Sequence, residues 1–186
     1  MRRSARLLAV WIVAVLVTAG AAGCRRTAPE TLEPYTSERH GFTITRPSSW
    51  QRVESEEGNR IWFLPEAPAA GETPELTATE FVVIMTRAEA GPLPEGEVRR
   101  LAMSLLPMHG VSGFQRTAES TDQVVWYRFE LTGSTRGREW ASVGLLVTGP
   151  QRLHYTVCAS PLTEWSAKQK RCDAVLRSFR PGDLSK

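Results

Sequence analysis

Beyond Gly41 the chain is a succession of short apolar runs punctuated by turn residues. "GFTITRP", "RIWFLP" and "TATEFVVIMTR" are rich in β-branched and aromatic residues and end at breakers, so each predicts a strand. "FQRTAES", "QVVWYRFELTG", "REWASVGLLVTG" and "RLHYTVCAS" predict four more, with "GSTRG" and "GPQ" as turns between the last three. Connections this short favour antiparallel hairpins, because a parallel pair needs a crossover of roughly a dozen residues. In "VVWYRFEL", Val125, Tyr127, Phe129 and Leu131 share one face, while Val124 and Trp126 share the other with Arg128 and Glu130. In "WASVGLLV" both faces are apolar or small. A strand of that kind must be covered on both sides, which predicts helices on both faces of the sheet.

Two stretches change period. In "PEGEVRRLAMSLLP", Val98, Leu101, Ala102 and Leu105 follow a helical stripe that Pro107 stops. In "TEWSAKQKRCDAVLRSF", Trp165, Cys172, Leu176 and Phe179 form a stripe with lysine and arginine opposite. The expected order is three strands, helix, four strands, helix, an α+β domain in which helices flank an antiparallel sheet on both faces. Residues 24–40 contain two prolines and no apolar periodicity and read as a flexible tether. The domain is expected over 41–180, near the commonest domain size, with 181–186 as a tail. "PEAPAAGETPE" (Pro65 to Glu75) reads as an exposed loop between strands.

The segment before the tether has the layout of a secretory signal. Arg2, Arg3 and Arg6 form a basic start, "LLAVWIVAVLV" (Leu7 to Val17) an apolar centre, and "TAGAAG" a small-residue approach to Cys24. "AAGC" resembles a bacterial lipobox, with Ala21 where leucine is usual. That resemblance implies cleavage before Cys24, diacylglycerol on its sulfur and a fatty-acyl chain such as palmitate on its new amino group. Two other readings stay open. "AGA" (Ala19 to Ala21) also fits an A-x-A cleavage site that would release a soluble protein, and the uncharged run from Leu7 to Gly23 reaches the lower edge of a bilayer span. "RRSAR" hints at a twin-arginine signal, but Ala5 and Arg6 do not continue it, so ordinary secretion is expected.

Charge changes the picture once this segment is set apart. The chain carries 23 basic and 20 acidic residues, a formal net charge of +3. Three of the basic residues and none of the acidic ones lie in residues 1–23, which leaves 20 against 20. A neutral mature chain offers no clustered basic surface, which excludes nucleic acid as a partner. Cysteine usage agrees with export. Three cysteines are odd for a secreted chain, and if Cys24 carries lipid, Cys158 and Cys172 remain as a pair in an oxidising compartment. Cys158 ends the last strand, and Cys172 lies on the apolar stripe of the following helix. A turn at Ser160 and Pro161 can bring them together, so a bond is expected; two reduced cysteines packing as small hydrophobes are the alternative.

With these elements placed, the sequence resembles the PsbP-like superfamily, named for an extrinsic subunit of photosystem II. The opening "HGFTITRPSSWQ", the hairpin pair ending "RLHYTVCAS" and the last helix finishing "AVLRSFRP" carry the likeness, which covers nearly all of residues 39–181. Similar GF-x-I-x-x-P-x-x-W openings and I/V-L-x-SF endings recur in small bacterial envelope lipoproteins of this class. The resemblance implies an antiparallel sheet sandwiched between helices, without common catalytic residues. Metal sites of some photosynthetic members have no counterpart here, and nothing suggests photosynthesis.

Candidate chemistry is sparse. His40, His109 and His154 are isolated from one another and from metal-ligand spacing with other side chains, which points to surface or packing roles. There is no G-x-S-x-G, S-x-x-K or C-x-x-C signature. "ESEE" (Glu54 to Glu57) is a solvated turn before it is a cation site. Trp62, Trp126 and Trp140 could line a cleft for a small apolar ligand, although tryptophans between sheet and helices more often fill the core. The expected function is a non-enzymatic binding or assembly module of the bacterial envelope, anchored on the periplasmic side by Cys24, with no metal and no other cofactor. Its expected partners are the membrane and an envelope protein complex. The alternative is a periplasmic carrier with a tryptophan-lined cleft. Arg25 after the cysteine lacks the aspartate associated with inner-membrane retention, which favours the outer membrane in a host that has one.

Overall fold

A computed structural model describes residues 30–183 except 70, 89–90, 105–109 and 136. In chain order the elements are β1 (Leu32–Ser37), β2 (Phe42–Pro47), β3 (Gln51–Glu54), β4 (Arg60–Leu64), α1 (Pro74–Thr77) and β5 (Phe81–Ala88). They continue with α2 (Glu95–Ser104), β6 (Gly110–Arg116), β7 (Val125–Thr135), β8 (Arg138–Thr148) and β9 (Arg152–Pro161). A 3-10 turn at Leu162–Glu164, α3 (Trp165–Arg177) and β10 (Arg180–Pro181) complete the chain.

Side chains that alternate between two buried faces build the main sheet. Strands β3-β4-β5-β9-β8-β7-β6 pair in that order, every pair antiparallel. Along β5, Phe81, Val83 and Met85 face one side, and Val82 and Ile84 face the other. β8 and β9 divide in the same way, with Leu146, Tyr155 and Val157 on the first face and Val143, Val147 and Cys158 on the second. Helix α2 covers the first face through Val98 and Ala102, and the Tyr155 hydroxyl donates to the Ala102 carbonyl at 3.3 Å. Helix α3 covers the second face through Cys172, Val175 and Leu176. The architecture is therefore the expected α+β one, an antiparallel sheet with a helix on each face.

A three-stranded sheet, β1-β2-β10, shares the second face and corrects two boundaries. The tether expected over 24–40 stops short of Leu32, because Tyr35 of β1 packs edge-on against Phe63 at 5.0 Å. Pro34 does not prevent the strand, since β1 is an edge and an edge tolerates a missing N–H. The tail expected over 181–186 begins later, because Pro181 pairs with Phe42 and Gly182 N–H donates to the Gly41 carbonyl at 2.6 Å. Two further elements differ from expectation. β3 is a short pairing with β4, and α1 takes the last two residues of the expected loop, Pro74 and Glu75, and ends at Thr77, where a strand was expected to begin. Leu105 and Pro107, expected in α2, fall outside the described residues.

Gly144 of β8 sits opposite Phe129 of β7, and a Cβ there would overlap the fully buried ring. The glycine leaves room for the aromatic side chain on the first face. Gly144→Ala is expected to cost about 1–3 kcal/mol by overpacking, measured by urea unfolding, and combination with Phe129→Leu should shrink that cost. The Cys158–Cys172 bond is present, with Cα atoms 5.4 Å apart, and it ties α3 to β9. A loop of this length restricts the unfolded chain by about 3 kcal/mol. Reduction should therefore lower the melting temperature by roughly 6–12 °C, and the denatured, unreduced protein should show no reactive thiol at either position.

Candidate functional site

The width of α3 sets where a site can lie. A helix with its side chains is about 10–12 Å across and strands are about 4.8 Å apart, so one helix covers little more than two strands. Helix α3 lies over β8 and β9, and the small sheet covers the β4 side through Phe42, Ile44 and Tyr35. The second face of β7 falls outside both covers. Trp126 and Arg128 are half-buried there, and Glu130 is exposed.

The result is a groove of about 540 Å³ between β7 and the C-terminal end of α3. Its floor is Trp126, Leu145, Leu176 and Phe179, and its polar rim is Thr117, Glu119, Arg128, Arg177 and Arg180. Trp126 stands edge-on to Phe179, with ring centroids 6.4 Å apart. Arg128 donates to Asp173 at 2.7 Å, and Arg177 lies 3.9 Å from the same carboxylate. Arg180 is held by the Arg177 and Phe179 carbonyls at 2.8 and 2.7 Å. Glu119 stays ionised: the Thr117 side chain, its own backbone amide and the Arg180 charge hold its carboxyl below the usual carboxylate range. A larger depression at the β7–β8 turn is walled chiefly by Thr79, Ser134, Arg138, Glu139, Thr163 and Glu164, without an apolar floor of this kind.

The predicted tryptophans do not share a cleft. Trp62 and Trp140 are buried on the first face among the core residues, Trp140 against Phe81 at 5.7 Å, whereas Trp126 lies on the opposite face. Strand parity separates them, and of the three only Trp126 lines the groove. Cys24 lies outside the described residues, as does His109. His40 is buried with Nε2 3.5 Å from Glu54, which also receives Arg39 at 3.1 Å and Arg52 at 3.4 Å. The first glutamate of "ESEE" is thus committed to cations of the protein itself. Among the described residues, no cluster of three or more His, Cys, Asp or Glu could hold a metal, and no helix is long and apolar enough to cross a membrane. The rim arginines and Glu119 escaped the sequence reading because they are spread from 119 to 180 with no fixed spacing. Their one local signal is the arginine on either side of Ser178–Phe179.

Comparison with known proteins then places the architecture. No family model matches the chain, and no curated protein does. Solved structures do match. Cyanobacterial PsbP (CyanoP) of Synechocystis sp. PCC 6803 superposes with a TM-score of 0.57 at 15% identity, covering 87% of this chain and 99% of that one. The chain has a PsbP-like fold. Other structures with the PsbP-like arrangement include the Ran-binding protein Mog1p of Saccharomyces cerevisiae, with a TM-score of 0.51, 10% identity and coverage of 84% and 98%. LpqN, involved in cell envelope biogenesis of Mycobacterium tuberculosis, matches with a TM-score of 0.50, 12% identity and coverage of 84% and 94%. At these identities the likeness establishes the PsbP-like fold and no shared chemistry.

Beneath the groove, His154 is sealed in the second-face core. Its ring meets Phe42 at 5.9 Å and Phe179 at 5.5 Å, both edge-on, and its Nδ1 lies 3.0 Å from the Thr86 hydroxyl. Burial, with smaller contributions from the Arg152 and His40 charges, lowers its pKa to about 3, so the ring is neutral. The unfolded chain binds a proton near pH 6.5 that the folded chain refuses until about pH 3. Stability should accordingly fall as pH drops through that window, by at most about 5 kcal/mol. His154→Leu should flatten the acid limb of the stability curve, measured by denaturant unfolding between pH 3 and 7.

Proposed function

We propose that this chain is a lipid-anchored module of the bacterial cell envelope that binds or assembles with partners and carries out no catalysis of its own. The observation that carries the reading is a PsbP-like domain beginning at Thr31, seven residues after the cysteine of a lipobox-like "AAGC". Seven residues span at most ~25 Å when extended, which would keep an anchored domain at the bilayer surface. The structural likeness to LpqN, named for cell envelope biogenesis, supports that setting. The non-enzymatic reading rests on how the described histidines are used, His154 sealed among phenylalanines and His40 held beside Glu54. Arg25 supports the outer membrane as destination in a host that has one.

A second reading, a carrier of a small apolar ligand, draws on the groove at Trp126, whose volume lies in the range of small-molecule sites. The anchor is tested directly. Intact mass of the membrane-derived protein should show diacylglycerol and an N-acyl chain on a protein beginning at Cys24, and Cys24→Ala should move it out of the membrane fraction. A chain beginning at Ala22 with a free thiol would refute the anchor.

A further inference from the structure

We infer that the groove at Trp126 binds an amphiphile with one apolar chain and a single carboxylate head. This rests on the carrier reading and deepens it by assigning a head-group charge. The floor is apolar with no charged group in it: Trp126, half-buried, is its accessible side chain, backed by Leu145 and Leu176, which are buried, and by Phe179, which is fully buried. The rim holds three guanidinium groups. Asp173 beside Arg128 and Arg177, and Glu119 in the field of Arg180, offset two of them. Counted over the lining residues and Asp173, one positive charge is left beside the apolar floor, with Glu130 exposed further along β7 outside that lining; this balance is the complement of a monoanion on a hydrocarbon chain. A doubly charged phosphate head would meet Asp173 and Glu119 with charge in excess of what the rim can balance. An uncharged head would forgo the attraction of that guanidinium. Arg177 is 78% exposed and held only at the surface, by a 3.9 Å ion pair with the Asp173 carboxylate and by its Nε donating to the Asp173 carbonyl at 3.3 Å, contacts that a ligand carboxylate at the rim would compete with.

The test uses the intact membrane-derived protein in phosphatidylcholine vesicles. A hexadecanoate bearing a diazirine is added, the sample is irradiated, and labelled segments are located by mass spectrometry. Label should fall on the segments holding Trp126 or Leu176–Arg180, displaced by oleate but not by hexadecyltrimethylammonium or dodecyl maltoside. Arg177→Gln and Arg180→Gln should each weaken labelling about tenfold, read on protein whose cooperative thermal unfolding shows that it is still folded. Equal displacement by dodecyl maltoside would overturn the carboxylate assignment and leave the carrier reading standing. A peptide ending in a hydrophobic residue that displaces the label better than oleate would overturn the inference in favour of a protein partner. Absent or scattered labelling would overturn both the inference and the carrier reading. The acyl mass on Cys24, read from the same sample, reports on the anchor independently of every one of these outcomes.

Discussion

Phe42 and Phe179 stack at 5.7 Å and 26°, and His154 stands edge-on to both. Through this contact the first buried strand of the domain meets a residue two places past the end of its last helix. The geometry of the second face depends on that meeting. Helix α3 is polar over much of its surface, and only three of its residues are buried, so its position comes from tertiary ties more than from a broad apolar stripe. In its first half and at its middle, Lys168 and Arg171 pair with the buried carboxylate of Glu80. At its middle Cys172 is bonded to β9, and past its end Ser178 accepts the Thr45 N–H at 2.8 Å. Three ties of different chemistry thus fix one rigid body, and the aromatic junction closes the end that the bond at Cys172 does not reach.

Fixing α3 over β8 and β9 leaves β7 short of cover, and the groove follows from that arithmetic of widths. Its floor is built from residues that would be ordinary core if a second helix lay beside the first. Leu145 and Leu176 are buried, whereas Trp126, one strand further out, is only half-buried. The same constraint explains the split of the tryptophans. A side chain on β4 or β8 that points to the first face is roofed by α2 and its neighbours, while one on β7 that points to the second face meets the edge of α3.

Much of the fold was legible because strands buried on both faces read as continuous β-branched and aromatic runs between breakers, with alternation clear in β7. β5, β7, β8 and β9 all stood out, and so did the bond between Cys158 and Cys172, whose partners lie on consecutive elements. The strands that escaped are those with little to bury. β1 alternates Glu33, Tyr35 and Ser37 inward against exposed Leu32, Pro34 and Thr36, a pattern in which one aromatic ring does most of the packing. β3 is exposed or half-buried along its length, and β10 is two residues held by register with β2. The groove was legible only in Trp126. Sequence places Trp62 and Trp140 on strands, but which face each presents depends on pairing partners far away in the chain, and that information is absent from a single strand.

The three segments that carry the resemblance to PsbP-like proteins converge on one place. "HGFTITRPSSWQ" supplies Phe42, "RLHYTVCAS" supplies His154 and Cys158, and "AVLRSFRP" supplies Ser178 and Phe179, all within the second-face core and its border. A motif made of residues that pack against one another specifies a fold more than a chemistry. Within "LRSFRP" the division is fine-grained. Ser178 is turned to β2 and Phe179 is buried, whereas Arg177 and Arg180 are exposed at the groove. Substitution of either arginine alters the charge of the rim without touching the aromatic junction. The chemistry of the groove can therefore diverge between proteins whose cores stay alike, and similarity of fold is a weak guide to what such a groove holds.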